Sequence, residues 1–93
     1  MISVLMPVYN GEKYLLESIK HVLKSNLKKF EFIIVNDGSS DNSENIVKSF
    51  KDKRIKYFGK INSGISESLN YGLSKCNYNL IARIDCDDLM LSD

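Results

Sequence analysis

Cysteine, histidine and net charge are all scarce in this 93-residue chain, and each scarcity removes a class of function. The only cysteines, Cys76 and Cys86, form neither a CxxC redox pair nor a metal-ligand repeat, and they are too few for a disulfide framework, so reduced thiols are expected. With one histidine, His21, and no G-x-S-x-G elbow, a Ser-His-Asp hydrolase has no support. The 13 Lys+Arg against 12 Asp+Glu leave a net charge of +1, so no overall field singles out nucleic acid or an anionic membrane. Lysines do gather at Lys24, Lys28 and Lys29 and again over residues 48–56. These read as solvated faces, the first also suited to touch anionic lipid or another protein. No run approaches the roughly 20 apolar residues of a membrane span, and the apolar N-terminus lacks a basic region and a cleavage site. Neither a spanning helix nor export is expected. Phosphate-loop patterns, G-x-x-x-x-G-K-[ST] and G-x-G-x-x-G, are missing as well, which removes the main warrant for a P-loop NTPase or a dinucleotide-binding domain. Internal repeats, low-complexity stretches and linkers are also lacking.

What the chain does have is 43% hydrophobic and 27% charged residues, the balance of an ordinary globular chain, with room for one small domain over residues 1–93. Residues 3–8 read as a buried strand closing on Pro7, followed by turn residues Tyr9, Asn10 and Gly11. Leu15, Ile19, Val22 and Leu23 then form one stripe of a helix that starts at Glu12 with Asn10 or Gly11 as its cap, and His21 lies off that stripe on the surface. Residues 30–35 are a second strand running into the turn signal of Asn36 to Asp41. Asp41 with Glu44 resembles a capping box, and Ile46, Val47 and Phe50 give the next helix its apolar face. Residues 55–58 form a third strand and residues 59–64 a loop. Ile65, Leu69, Leu73 and Cys76 repeat at helical spacing, with Gly72 placed for close packing. Residues 78–88 close the chain with an apolar run into Asp85, Cys86, Asp87 and Asp88. Strand and helix alternate throughout, so the expected fold is α/β: an open, mostly parallel sheet with helices on both faces.

All four strands would then exit toward one rim, where ligands of open α/β sheets bind. Alternation puts Asp85 and Asp87 on one side of an extended backbone, a hard-oxygen pair suited to Mg²⁺ or Mn²⁺. The alternative is that these acids are a solvated turn or a helix cap. Cys86, between two carboxylates, reads as a small residue packed beneath the strand end rather than a nucleophile. Arg83 shares the side of the acids, and it either orients Asp85 as an ion-pair mate or reaches a phosphate. Asp37, at the exit of the second strand, suits acceptance of a hydrogen bond from a nucleobase imide or a ribose hydroxyl.

Four segments carry a resemblance: Val4-Leu5-Met6-Pro7-Val8-Tyr9-Asn10-Gly11-Glu12-Lys13-Tyr14-Leu15, Phe32-Ile33-Ile34-Val35-Asn36-Asp37-Gly38-Ser39-Ser40-Asp41-Asn42-Ser43, Asn62-Ser63-Gly64 and Ile81-Ala82-Arg83-Ile84-Asp85-Cys86-Asp87-Asp88. In this order and spacing, the chain resembles the amino-terminal half of family 2 glycosyltransferases of the GT-A fold. The resemblance implies a Rossmann-like half-domain that binds a nucleotide-diphosphate sugar, most readily a UDP-sugar, through a divalent Mn²⁺ or Mg²⁺. It implies Asp87 as the metal ligand at the DxD position, with Asp85 on the ribose or in the metal shell. Asp37 would accept from the base, Pro7, Val8 and Tyr9 would line base and ribose, and Arg83 would stand near the diphosphate. It further implies a carbohydrate or lipid-linked acceptor in the intact enzyme, no nucleic acid partner, and a cytoplasmic place, peripheral at the inner face of the membrane, in polysaccharide or cell-envelope synthesis. No residue matches the family's catalytic base. The chain is therefore expected to be a truncated donor-binding part, inactive in transfer by itself. Two other readings stand beside this one. A haloacid dehalogenase-type phosphatase also opens with a strand leading into Asp-x-Asp, although there the motif begins the chain and Leu89 would be Thr or Val. A non-catalytic α/β module would use an exposed sheet edge for self-association.

Overall fold

The computed structural model describes residues 1–26 and 29–86, so Lys28, Asp87 and Asp88 lie outside the described residues. The chain runs β1 (Ile2–Val8), α1 (Glu12–Leu23), β2 (Phe30–Asp37), α2 (Ser43–Lys48), β3 (Ile55–Lys60), α3 (Ile65–Lys75) and β4 (Ile81–Arg83). The strands make one parallel sheet in the order β3-β2-β1-β4. Connections from β1 to β2 to β3 step one way and the connection to β4 returns past β1. Right-handed crossovers running in opposite directions place helices on opposite faces, and the packing agrees. Alternate residues Val4, Met6 and Val8 of β1 and Phe30, Phe32 and Ile34 of β2 pack with Leu15, Ile19 and Val22 of α1 and Val47 of α2. The intervening Leu5, Ile33 and Val35 pack with Leu69, Tyr71 and Cys76 of α3 and the end of its turn. β1 and β2 are covered on both sides, which is why they read as nearly unbroken apolar runs.

Several boundaries differ from the sequence expectation. β2 and β3 continue through Asp37 and Lys60 because Asn36 pairs with Gly59 and Asp37 with Lys60, so ladder pairing overrides the turn propensity of Asn-Asp-Gly. The capping box at Asp41 is not formed. α2 starts at Ser43, whose N–H and hydroxyl donate to Asp41 Oδ1 at 3.0 and 2.6 Å, and Asp41 Oδ2 accepts from the backbone N–H of Glu12, the first residue of α1, at 3.0 Å, while Glu12 Oε1 accepts from Asn42 N at 2.9 Å. The starts of α1 and α2 are thus tied to each other. Helix α3 differs most. Its buried residues are Ser68 and Gly72, whereas Ile65 and Leu73 are 56% and 46% exposed. A full apolar stripe does not fit, because α3 rides close against the sheet: a Cβ on Gly72 would stand 2.4 Å from Leu5 Cδ1 and 3.1 Å from Val35 Cγ2.

This close approach makes a stability prediction. Alanine for glycine inside a helix ordinarily gains about 1 kcal/mol, but overpacking a filled core costs about 1–3 kcal/mol. Gly72→Ala is expected to lower stability by about 1 kcal/mol net, read as a lower urea midpoint at unchanged slope.

β4 is short and forms an edge, not the buried strand expected from its apolar lead-in: Leu80 and Ile81 are 66% and 37% exposed. It pairs with β1 only from Ser3 to Leu5. Ser3 donates its N–H to Leu80, and Leu5 accepts from Ile84 N, so alternate β1 residues face β4. Pro7 falls on that parity. Its missing N–H therefore ends the β1–β4 ladder, and the sheet opens there, where the order of strands also reverses.

Candidate functional site

Asp37 ends β2 at the center of the carboxyl rim. Its side chain is 6% exposed and bonded by the loop that follows β3. The carboxylate organises that loop. Oδ1 accepts from Lys60 Nζ at 2.8 Å and Ser63 N at 2.9 Å, and Oδ2 accepts from Gly64 N at 3.0 Å and, more weakly, Asn62 Nδ2 at 3.3 Å. Lys60 spends its other donors on the Ile61 carbonyl and the Ser63 hydroxyl. Burial pushes the Asp37 carboxyl up, but donation from Lys60, Ser63 and Gly64 outweighs it and holds the group below its usual range, ionised and accepting. Two glycines make the geometry possible. Gly38 has φ +66°, and a Cβ there would meet Asn62 N at 2.6 Å; Gly64 has φ +101° at the start of α3.

The β1–α1 turn is fixed to the β2–α2 turn. Asn10 sits at φ 49°, a left-handed conformation asparagine tolerates, and is held there by donation from its N–H to Ser39 Oγ at 2.8 Å and from Ser40 N to its Oδ1 at 2.8 Å. Gly11 N donates to Ser43 Oγ at 3.1 Å. These bonds set the course of Pro7, Val8 and Tyr9 against the end of β2.

Between that turn, Asp37 and the start of α3 lies a cavity of about 410 Å³ lined by Pro7, Val8, Tyr9, Asp37, Asn62, Gly64, Ile65 and Ser68. Four sequence-predicted residues, Pro7, Val8, Tyr9 and Asp37, are brought together here. Asn62, Gly64, Ile65 and Ser68 were not among the expected site residues. The Asn62-Ser63-Gly64 turn carried a signal for the first two, but Ile65 was assigned to the core and Ser68 gave none. The walls are apolar or aromatic, and the polar groups converge on one end, as in a pocket for a flat ring with a polar edge.

Arg83 and Asp85 do not line this cavity. They stand on the far side of β1, where Arg83 Nε and a terminal nitrogen donate to the two Asp85 oxygens at 3.1 and 3.3 Å. Arg83 is 49% exposed, so it is not the buried guanidinium that a buried strand would have required. Asp85 lies past the end of β4, not within it. β2 and β4 flank β1, so Asp37 and Asp85 are about two strand spacings apart, roughly 10 Å. Cys86 turns inward as expected: its Sγ lies where a Cβ on Gly11 would come within 2.7 Å, and its carbonyl accepts from the Ser18 hydroxyl. Asp87, the expected metal ligand, lies outside the described residues. Among the described residues no group of three His, Cys, Asp or Glu could hold a cation, and Asp85 supplies the only described carboxylate of the expected pair. As a hard oxygen donor past the end of β4 it fits one corner of such a site.

Residues 3–93 match Glycosyl transferase family 2. An uncharacterized glycosyltransferase of Rickettsia typhi is 42% identical over 89 residues, which are 96% of this chain and 28% of that protein. The structure of the 1–349 portion of S. aureus TarS in complex with UDP-GlcNAc superposes with a TM-score of 0.86 at 30% identity, covering 92% of this chain and 26% of TarS 1–349. The mannosyltransferase PcManGT of Pyrobaculum calidifontis, in complex with GDP-Man and Mn²⁺, shares the fold at a TM-score of 0.85 and 18% identity, over 92% of this chain and 27% of that chain. The chain spans about a quarter of the length of the Rickettsia typhi protein and of the two solved chains.

Proposed function

The chain belongs to Glycosyl transferase family 2, and from that premise we propose that it is the donor-binding part of a glycosyltransferase, holding a nucleotide-diphosphate sugar for transfer to an acceptor hydroxyl. The base occupies the cavity beside Asp37, between the walls made by Pro7, Val8, Tyr9 and Ile65. The ionised Asp37 accepts from a ring N–H, and the Asn62 amide, its longest contact at 3.3 Å, gives way to the ligand. The ribose and diphosphate run past the end of β1 toward Asp85, and Arg83, half exposed, faces the phosphates. Asp85 and Asp87 would hold a divalent cation, Mn²⁺ or Mg²⁺, which when bound neutralises charge on the diphosphate leaving group. A UDP-sugar is the donor favoured. A carbohydrate or lipid-linked hydroxyl is the acceptor, bound by parts of the enzyme beyond this length, which also supply the base that takes its proton. The protein works in the cytoplasm, peripheral to the inner face of the membrane. No described helix is long and apolar enough to cross one. The open edge of β4 pairs with a further strand, and from a second copy it would give self-association.

The observation that carries this reading is an ionised, nearly buried carboxylate at the polar end of an apolar cavity on the strand-exit rim. Family membership sets the phosphatase alternative aside. Calorimetric titration of UDP with and without Mn²⁺ tests the proposal. Binding should tighten with the cation, and Asp87→Ala should remove that gain while leaving metal-independent binding intact. Equal metal dependence in parent and variant would reject the assignment of Asp87.

A further inference from the structure

Ser68 is 1% exposed and lines the cavity, yet its hydroxyl makes no hydrogen bond. It stands beside the Asp37 carboxylate, outside hydrogen-bond geometry with it. A helical serine commonly satisfies itself on the carbonyl one turn back. Here the Gly64 carbonyl receives the Ser68 backbone N–H, and the side chain stays unpartnered. A buried hydroxyl left unpaired is costly, so its partner is to be sought in whatever fills the cavity it faces. The other orphaned hydroxyl among the described residues, Ser25 Oγ, does not line this cavity.

We infer that Ser68 is a base-specificity residue, its hydroxyl donating to a ring carbonyl adjacent to the N–H that Asp37 accepts. This rests on the donor-binding reading above and adds a second polar contact to it. Asp37 is acceptor-only and Ser68 is the nearby donor, so together they match a ring edge in which an N–H adjoins a carbonyl. A uracil imide meets this demand in either seating, because its N–H has a carbonyl on both sides. Adenine and cytosine present a bare ring nitrogen where Asp37 requires a proton, and are rejected. The shortness of the serine side chain also suits the position, since α3 packs close to the sheet along the Ser68–Gly72 face.

The test is a titration of UDP, 2-thio-UDP and 4-thio-UDP into the parent protein and Ser68→Ala, because sulfur accepts a hydrogen bond poorly where oxygen accepts it well. The parent should favour UDP over one of the two thio analogues by about tenfold, and Ser68→Ala should erase that preference, binding UDP about tenfold more weakly. Matched thermal melts establish that the variant is folded; removing one buried, unpartnered oxygen leaves the packing unchanged. A preference that survives in Ser68→Ala, or one absent from the parent, overturns the role of Ser68 alone. A parent that binds none of the three overturns the donor-binding reading beneath it.

Discussion

Asp37→Ala is expected to lose measurable nucleotide binding and about 3 kcal/mol of stability together. The stability part follows from what the carboxylate holds. Its removal strands the Lys60 ammonium, 16% exposed, and the backbone N–H groups of Ser63 and Gly64, all gathered on this one acceptor. Breaking one partner of a buried pair costs about 3–5 kcal/mol, and the low end applies because a single loop bonds the group. The binding part follows from the loss of the base acceptor and of the loop that walls the cavity. Asp37→Asn separates the two effects. Its amide oxygen still accepts from part of the loop, so stability falls by about 1 kcal/mol, but its NH₂ opposes a donor on the base and binding stays weak. Urea unfolding and UDP titration on both variants check this. An Asp37→Asn protein with parental affinity would remove Asp37 from base recognition.

The second large effect lies at the opposite end of the sheet. Glu31, 6% exposed in β2, accepts from the Ser3 hydroxyl at 2.6 Å, from Asn77 N at 2.6 Å and from Asn77 Nδ2 at 2.8 Å, and Tyr78 N in turn donates to Ser3 Oγ at 3.3 Å. One carboxylate thus fastens the turn between α3 and β4 to the first two strands, and through that turn it positions the strand leading to Asp85. Glu31→Ala leaves the buried Ser3 hydroxyl without its acceptor and releases the exposed Asn77, whose donors can turn to water, so it is expected to cost about 2 kcal/mol, within the range of about 1–3 kcal/mol for one buried group left unpaired. Burial pushes the Glu31 carboxyl up, but Ser3, both Asn77 donors and the charge of Lys56 outweigh it and hold it below the ordinary 4.5. With the folded-state value depressed, the stabilisation is fully present above the unfolded value and is lost as pH falls through the folded one. Asp37 is depressed in the same direction from 3.8. Acid unfolding below about pH 4 should therefore be blunted in Glu31→Ala, which has less to lose on protonation; the slope of stability against pH measures it.

The parts of the fold legible in the sequence were those set by period. Val4, Met6 and Val8 against Leu5, and Phe32 and Ile34 against Ile33 and Val35, divide between two faces because strands alternate, and the strand-helix order implies a parallel sheet with right-handed connections, while the strand order β3-β2-β1-β4 is set by tertiary packing. α1 followed its stripe of Leu15, Ile19 and Val22. α3 did not, because helical spacing of Ile65 and Leu73 says nothing of how near the helix lies to the sheet, and at this distance only Ser68 and Gly72 fit beneath it. β4 looked buried since Leu80 and Ile81 are apolar, and it emerged as an edge, a matter of what stands beside a strand and not of its own residues.

The site was legible in part for the same reason. Pro7, Val8, Tyr9 and Asp37 sit at strand exits, which topology alone brings to one rim. Ser68 comes from the first turns of a helix and faces the cavity only by tertiary packing. Asp41 bonds Ser43 at the start of α2, but the reciprocal partner is Glu12 of α1 and not Glu44, because a capping box and a contact between two helix starts use the same residue types.

The most direct test of the central claim, that the cleft between the β1 exit and the Asp37 loop is where a nucleotide binds, is residue-resolved mapping of UDP on the protein by amide chemical shifts. Perturbation is expected at Val8, Tyr9, Gly38, Ser63, Gly64 and Ser68, with Asn77 and Phe30 at the far end of the sheet unmoved. Shifts confined to that far end, or no saturable shift at any UDP concentration up to the millimolar range, would contradict it.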